Sequence, residues 1–371
     1  MAKRKLNILF INSIGRKKYG GGEKWMVKAA RGLLERGHHV WLASKRNSAI
    51  LRAAEREGVP TRVFNVRSDF SPLNTLKIAR FLKQHGTDVL VCNLNKDVRV
   101  AGLAARLVKR PVVIARHGIV LCGKKWKHKV TLTHLVDGIL TNTLSIKQTY
   151  AGYGWFQEDF VRVIYNGVEI REEVVPFPFG ERFPGKKVVL GAGRLTEQKG
   201  FDDLLEAAAI LLQSREDLVF VVAGTGRLER HLKSRAKNLG LEERFQFWGF
   251  REDLDALMAG ATLFVLSSIY EGMPNVVMEA MALGKPVVAT DVNGVRELMV
   301  DGETGLIVPP RNPEALAGAI ARLADHPELL RRFGRAGLAR VRKHFTMAKM
   351  VENLESYFYE KVDAKSQARN T

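Results

Sequence analysis

Short apolar runs of strand length alternate with segments of helical length along almost the whole chain, and the alternation happens twice. Residues 6–12 precede a helical stretch at 23–36; 39–43 and 61–65 read as strands and 71–85 as a helix. Further strands are expected at 88–92, 111–115, 138–141 and 161–165. Parallel neighbours need a crossover connection of a dozen or more residues, so this rhythm predicts an α/β chain with a parallel sheet covered by helices on both faces. Periodicity stops at Val174-Val175-Pro176-Phe177-Pro178-Phe179-Gly180 and on to Pro184-Gly185, which reads as a linker over 174–186. It then resumes, with strands at 187–190, 218–223, 244–248, 261–266 and 285–290 and helices at 201–214 and 227–238. The expected domains are therefore 1–173 and 187–350. A last helix near 347–362 is placed to pack back on the first half, with about 351–371 belonging to it.

A length of 371 residues also favours two domains, and 46% hydrophobic residues suffice for two cores. Cys92 and Cys122 make no disulfide framework and sit in no metal-ligand pattern, which suits a reducing compartment. The start Met1-Ala2-Lys3-Arg4-Lys5 imitates the basic end of a signal peptide. The apolar run 6–11 is too short for one and passes into Gly15-Arg16-Lys17-Lys18, so it reads as the first strand. No run approaches the roughly 20 apolar residues of a membrane span. Net charge is +20 and lies entirely in the first half: residues 1–168 hold 31 Lys and Arg against 10 Asp and Glu, the rest 28 against 29. Such asymmetry points to an anionic partner for the first half.

In open parallel sheets ligands bind beyond the carboxyl ends of strands, so unusual residues just after strands are the candidates. Ser267-Ser268-Ile269-Tyr270-Glu271-Gly272-Met273-Pro274-Asn275 follows one apolar run and opens a helix carrying Glu279. N–H groups that open a helix have no intrahelical partner and suit a phosphate. Carboxylates beside such a seat need another task, and accepting hydrogen bonds from sugar hydroxyls fits Glu271 and Glu279; favouring the helix dipole is the competing explanation. Gly191-Ala192-Gly193-Arg194, with Lys199, places two cations after a strand, where they can balance a departing diphosphate without a metal or simply be solvated surface charges. Lys17-Lys18-Tyr19-Gly20-Gly21-Gly22-Glu23 supplies glycines before a helix but lacks the Gly-Lys-Ser/Thr ending of a Walker loop. Gly224-Thr225-Gly226 can line a nucleotide or simply turn, and Asn166 reads as a turn former. His117 is expected just past the strand 111–115, as a structural or a functional histidine.

These segments together, with Asn166-Gly167-Val168, Gly294-Val295-Arg296-Glu297 and Asp301-Gly302-Glu303-Thr304-Gly305, resemble glycosyltransferase family 4 over nearly the whole chain. The resemblance implies retaining enzymes of the GT-B fold, two Rossmann-like doubly wound domains facing across a cleft. It implies that Glu271 contacts the donor sugar, Glu279 the ribose, and Arg194 and Lys199 the diphosphate. Gly21 and Gly22 then lie near the phosphates and His117 beside the sugar, with Gly193, Gly272, Met273, Pro274 and Asn275 completing the donor site. The donor is a nucleoside-diphosphate sugar, with a UDP-sugar expected, and neither a cofactor nor a metal is implied.

The acceptor belongs to the basic half. Lys124, Lys125, Trp126, Lys127 and Lys129, followed by Val130, Leu132 and Leu135, suit an interfacial segment on an anionic membrane. An anionic, lipid-linked or phosphorylated glycan such as a lipopolysaccharide core is the expected acceptor. The expected location is the inner face of the cytoplasmic membrane, on its cytoplasmic side. Two other readings stay open: a sugar-nucleotide 2-epimerase of the same architecture, and a non-enzymatic nucleic-acid binder. The chain carries no recognised nucleic-acid motif, so nucleic acid is not expected as a partner.

Overall fold

A computed structural model describes residues 4–17, 19–109 and 111–370. Lys18 of the basic loop and the start Met1-Ala2-Lys3 lie outside the described residues. Packing divides the chain into two units, residues 1–167 with 347–371, and residues 168–346.

The first unit is built on seven strands: β1 (Asn7–Ile11), β2 (His39–Ser44), β3 (Thr61–Val63), β4 (Val89–Cys92), β5 (Val112–His117), β6 (Gly138–Thr141) and β7 (Val161–Val163). They form one parallel sheet in the order β3-β2-β1-β4-β5-β6-β7. Successive side chains of a strand point to opposite faces, and both faces here are covered. On β1, Ile8 and Phe10 enter one apolar layer with Trp25, Met26 and Leu33. Leu9 and Ile11 enter the opposite layer with Val98, Ala101 and Ile139. That two-sided burial is why the strands read as continuous apolar runs rather than as alternating ones. The Met347–Asn370 helix joins the first layer through Leu354, Tyr357 and Phe358. Its spacing of apolar residues at three and four positions gives it one buried stripe.

The second unit repeats the plan with β8 (Lys187–Ala192), β9 (Leu218–Ala223), β10 (Phe245–Phe247), β11 (Leu263–Leu266), β12 (Val287–Thr290) and β13 (Gly305–Val308). Their parallel order is β10-β9-β8-β11-β12-β13. The proline-rich stretch 174–186 is packed on this unit. Phe177 N donates to Ala256 O at 2.9 Å, and the rings of Phe177 and Phe179 lie 5.3 and 5.5 Å from that of Trp248. Prolines silence the periodicity there while the phenylalanines still bury their rings, and Phe179–Arg182 makes one helical turn. In each sheet the strand order reverses once, between β1 and β4 and between β8 and β11. Those reversals open the crevices in which parallel sheets receive ligands.

Candidate active site

At the β8/β11 reversal the two loops are stitched together. Ser267 Oγ donates to Lys199 O at 2.9 Å, Ile269 N to Gln198 O at 2.8 Å, and Gln198 Nε2 to Tyr270 O at 3.1 Å. Gly200 is what lets the chains meet: its φ is +59°, and a Cβ there would lie 2.0 Å from Ser267 O. The stitching brings Lys199 to Glu271, with Nζ 2.5 Å from Oε1. Ser268 Oγ donates to the same Oε1 at 2.7 Å. The pair is largely sheltered, the side chains being 14% and 9% exposed, so its attraction is stronger than that of a surface ion pair. Among the described residues, both partners of Glu271 fall on one oxygen. Oε2 is left to accept from a ligand, and Lys199 keeps two further N–H donors.

The loop then runs through Gly272, Met273 and Pro274, all buried, into the Asn275–Ala282 helix, where Asn275 and Glu279 are half-buried. Pro274 is the N-cap, and no side chain caps it. Gly193 opens the loop after β8 beside the Lys199 stem, which passes within 3.3 Å of where a Cβ on Gly193 would stand. Arg194 is exposed and, among the described residues, takes no part in the Lys199–Glu271 pair.

In the first unit, buried polar residues gather at the carboxyl ends of the strands: Asn12, Asn93, Arg116, His117, Asn142 and Asn166. His117 is the last residue of β5 rather than a loop residue beyond it, and it is 0% exposed. The strand runs two residues further than expected because Arg116 and His117 pair with Leu140 and Thr141 of β6. The Tyr150 hydroxyl lies 2.6 Å from His117 Nδ1, while Nε2 is buried without a partner among the described residues. Burial first, then the Arg116 charge, push the imidazole down to about 3, so it is neutral at pH 7. Burial in turn raises the Tyr150 hydroxyl, which keeps it protonated.

Gly21 and Gly22 open the Gly21–Glu35 helix, and Glu23 closes its first turn by accepting from Gly20 N at 2.8 Å. The other Glu23 oxygen accepts from Asn12 Nδ2 at 3.0 Å. Asp97, fully buried, accepts from Ser13 N at 3.1 Å and Leu94 N at 3.3 Å; burial outweighs these bonds and raises it to about 6.

Lys124, Lys125, Trp126, Lys127 and Lys129 lie at the start of the Trp126–His134 helix and are exposed, Trp126 at 79%. Arg99 ties this helix to its neighbour, with Nε 3.2 Å from Thr131 Oγ1 and Nη1 2.6 Å from Asp69. Just past Asp69 stand Phe70, Leu73 and Leu76, exposed at 79, 74 and 61%. Sequence reasoning missed these three, together with Tyr150, and gave Ser268 no role of its own. Only tertiary packing reveals that the Pro72–Gln84 helix leaves part of its apolar set outside. Among the described residues, no helix is long and apolar enough to cross a membrane, and no group of three or more His, Cys, Asp or Glu side chains is arranged to hold a metal.

Two family profiles match the chain in tandem. Residues 19–172 fit the one described as Glycosyltransferase Family 4, and residues 177–340 the one described as Glycosyl transferases group 1. The chain is 39% identical over 149 residues to the alpha-D-kanosaminyltransferase of Streptomyces kanamyceticus, covering 40% of this chain and 39% of that one. It is 35% identical over 198 residues to the lipopolysaccharide core biosynthesis mannosyltransferase LpsB of Rhizobium meliloti (strain 1021), covering 50% and 56%. These matches thus span about half the length of each relative or less. The crystal structure of Anabaena HepE in complex with UDP superposes with a TM-score of 0.84 over 96% of this chain and 100% of that one, at 22% identity. The fold shared with such structures is GT-B.

Proposed function

Because the chain belongs to glycosyltransferase family 4, we propose that it moves a sugar, with retention, from a nucleoside-diphosphate sugar to a hydroxyl of an anionic, lipid-linked glycan. The observation that carries this reading is the sheltered Lys199–Glu271 pair at the β8/β11 reversal, in which Glu271 Oε2 and two Lys199 N–H groups remain for a ligand. A sugar offers hydroxyls to the carboxylate, and a diphosphate offers oxygens to the ammonium and to the N–H groups opening the Asn275–Ala282 helix. Glu279 takes the ribose hydroxyls, and Arg194 swings onto the phosphate from the exposed side.

As the bond from the anomeric carbon to the phosphate oxygen breaks, negative charge grows on the diphosphate. Lys199 and the helix N–H groups are already in place to meet it, so they stabilise the transition state more than the ground state. The acceptor hydroxyl attacks from the face the phosphate leaves, and its proton passes to the departing phosphate oxygen. His117 is neutral at pH 7, so toward a ligand it would act only as an uncharged hydrogen-bonding group. No metal is needed to balance the charge. The UDP bound to HepE and the lipopolysaccharide-core role in the name of LpsB support a UDP-sugar donor and a glycolipid acceptor.

Thermal unfolding of the purified chain with a panel of sugar nucleotides tests the donor, since a bound ligand stabilises in proportion to occupancy. One UDP-sugar is expected to raise Tm well above its rivals, with EDTA leaving the effect unchanged. Turnover in Lys199→Ala should fall on the order of 100-fold or more, the scale of losing one preorganised charge-stabilising donor. Near-normal turnover in that variant would remove Lys199 from the chemistry. Formation of an epimerised sugar nucleotide without acceptor would replace transfer by 2-epimerisation.

A further inference from the structure

Three cations gather at the carboxyl edge of the first sheet, on the face away from the Gly21–Glu35 helix. β1 pairs with β2 on one side and β4 on the other, so Ile11 stands beside both Ala43 and Cys92. Those three residues belong to the layer that holds Val98 and Ala101, whereas Trp25 and Met26 of the first helix lie in the other. Lys45 stands two residues beyond Ala43 and keeps its side of the sheet, since side chains of a strand alternate. Lys96 follows Cys92 by four residues, in the first turn of the Asn95–Val108 helix, which packs on that same face. Arg67 follows β3, the strand next to β2. Both lysines are half-buried, and Arg67 is exposed.

The two ammonium groups come within hydrogen-bonding reach of each other, although a protonated lysine has only donors to offer. Burial first, then the Lys96 charge and its contact, hold Lys45 below its ordinary value; Arg67 adds to this and Asp97 opposes it. Asp97 is fully buried, and its carboxylate already accepts from Ser13 N at 3.1 Å and Leu94 N at 3.3 Å. Among the described residues, Lys45, Lys96 and Arg67 form no ion pair. Lys96 also sits at the positive end of its helix, where a cation is disfavoured and an anion favoured. Like charges brought together there repel, and one bridging anion turns that repulsion into two charge-assisted hydrogen bonds.

We propose that Lys45 and Lys96, with Arg67 at the rim, bind the acidic group of the acceptor, a phosphate or a carboxylate carried on its glycan. The anion bridges the two ammonium groups, and Arg67 approaches it from the exposed side. The pair then selects acidic acceptors over neutral ones, because a neutral group leaves the repulsion between the lysines uncompensated. That the anion belongs to an acceptor rests on the transferase reading; that an anion bridges the lysines does not. The sheet separates this cluster from the glycine turn of the Gly21–Glu35 helix, so the group it takes is a different one from any held at that turn.

Isotope-labelled lysine in the full chain supplies the readout by NMR, the Cε signals of Lys45 and Lys96 being identified by their loss in Lys45→Gln and Lys96→Gln. Inorganic phosphate and acetate are titrated separately at fixed ionic strength. Both signals are expected to shift together and to saturate with at least one anion, and the tighter anion names the acidic group. Each glutamine substitution is expected to weaken that binding about tenfold, read on the lysine that remains, while Lys45→Arg keeps most of it. If one glutamine variant does not fold, the other carries the comparison. The titration is then repeated with saturating UDP. Unchanged affinity supports an acceptor group, whereas displacement by UDP gives the lysines to the donor and overturns the proposal. Shifts that do not saturate with either anion, or affinities unchanged in a folded glutamine variant, would overturn it as well. Stabilisation of the unsubstituted chain by a sugar nucleotide, found alongside such a failure, would leave the transferase reading standing.

Discussion

Lys199 and Glu271 stand out in the sequence because each follows an apolar strand and sits among turn residues, the place where a parallel sheet offers side chains to a ligand. What the sequence does not carry is that they pair with each other, since that depends on Gly200 letting one loop lie on the next. Arg116 and Tyr150 are silent for a similar reason: a charged residue inside a strand and a tyrosine on the Leu144–Ala151 helix gain meaning only from what packs on them. His117 illustrates the difference sharply, being expected just past the strand 111–115 and found as the last residue of β5 with its charge suppressed. Its folded value, about 3, lies below its ordinary 6.5, so the unfolded chain binds the proton more readily between those two pH values. The stabilisation is therefore complete above pH 6.5 and is lost as pH falls toward 3, by up to about 1.4 kcal/mol per pH unit. Asp97 acts in the opposite sense, its contribution being full below 3.8 and lost as pH rises through about 6. Denaturant unfolding from pH 7.5 to 4.5 should accordingly show a smaller acid loss in His117→Asn than in the unsubstituted chain. Parallel curves would mean that the imidazole titrates normally.

Among the elements, the Trp126–His134 helix and the start of the Pro72–Gln84 helix belong together, because Arg99 bridges Thr131 on one to Asp69 just before the other. The sequence announces the first, since lysines around a tryptophan are visible as a pattern. It hides the second, since Phe70, Leu73 and Leu76 look like ordinary core spacing until the helix is docked. An exposed tryptophan ringed by lysines, next to exposed Phe and Leu, combines apolar insertion with attraction to acidic headgroups. Co-sedimentation with phosphatidylglycerol-containing vesicles should exceed that with phosphatidylcholine alone and fall as salt rises. Each lysine near an anionic surface contributes about 1 kcal/mol, so Lys124→Gln with Lys125→Gln should weaken binding on the order of 10-fold or more. Phe70→Ala is expected to weaken it without altering the salt dependence. Equal sedimentation with neutral and anionic vesicles would count against a membrane role for this face.

At the scale of the whole molecule, the chain leaves the first unit after Gly167 and returns to it at Met347. The two crossings lie side by side, since Val168 bridges to Thr346 and its N–H donates to Phe345 O at 2.8 Å. The returning helix buries Met350, Val351, Leu354, Tyr357, Phe358, Tyr359 and Val362 in the first unit's core. Its rim is held by Glu355 to Arg36 at 2.7 Å and to His38 at 2.8 Å, and by Lys365 to Asp137 at 2.7 Å. The pattern of apolar residues places a helix here from sequence alone, but its partner depends on which surface the first unit leaves uncovered. At roughly 1.5–3 kcal/mol for each large buried side chain, losing this stripe removes on the order of 10 kcal/mol. That equals the whole stability of a typical domain, about 5–15 kcal/mol. Ending the chain at Thr346 should therefore unfold the first unit selectively. Hydrogen exchange is the measurement that separates the units: amides of β1, β2 and β4 are expected to lose protection while those of β8, β9 and β11 keep theirs. Retained protection in β1 and β4 after that truncation would show that the first unit closes its core without the helix.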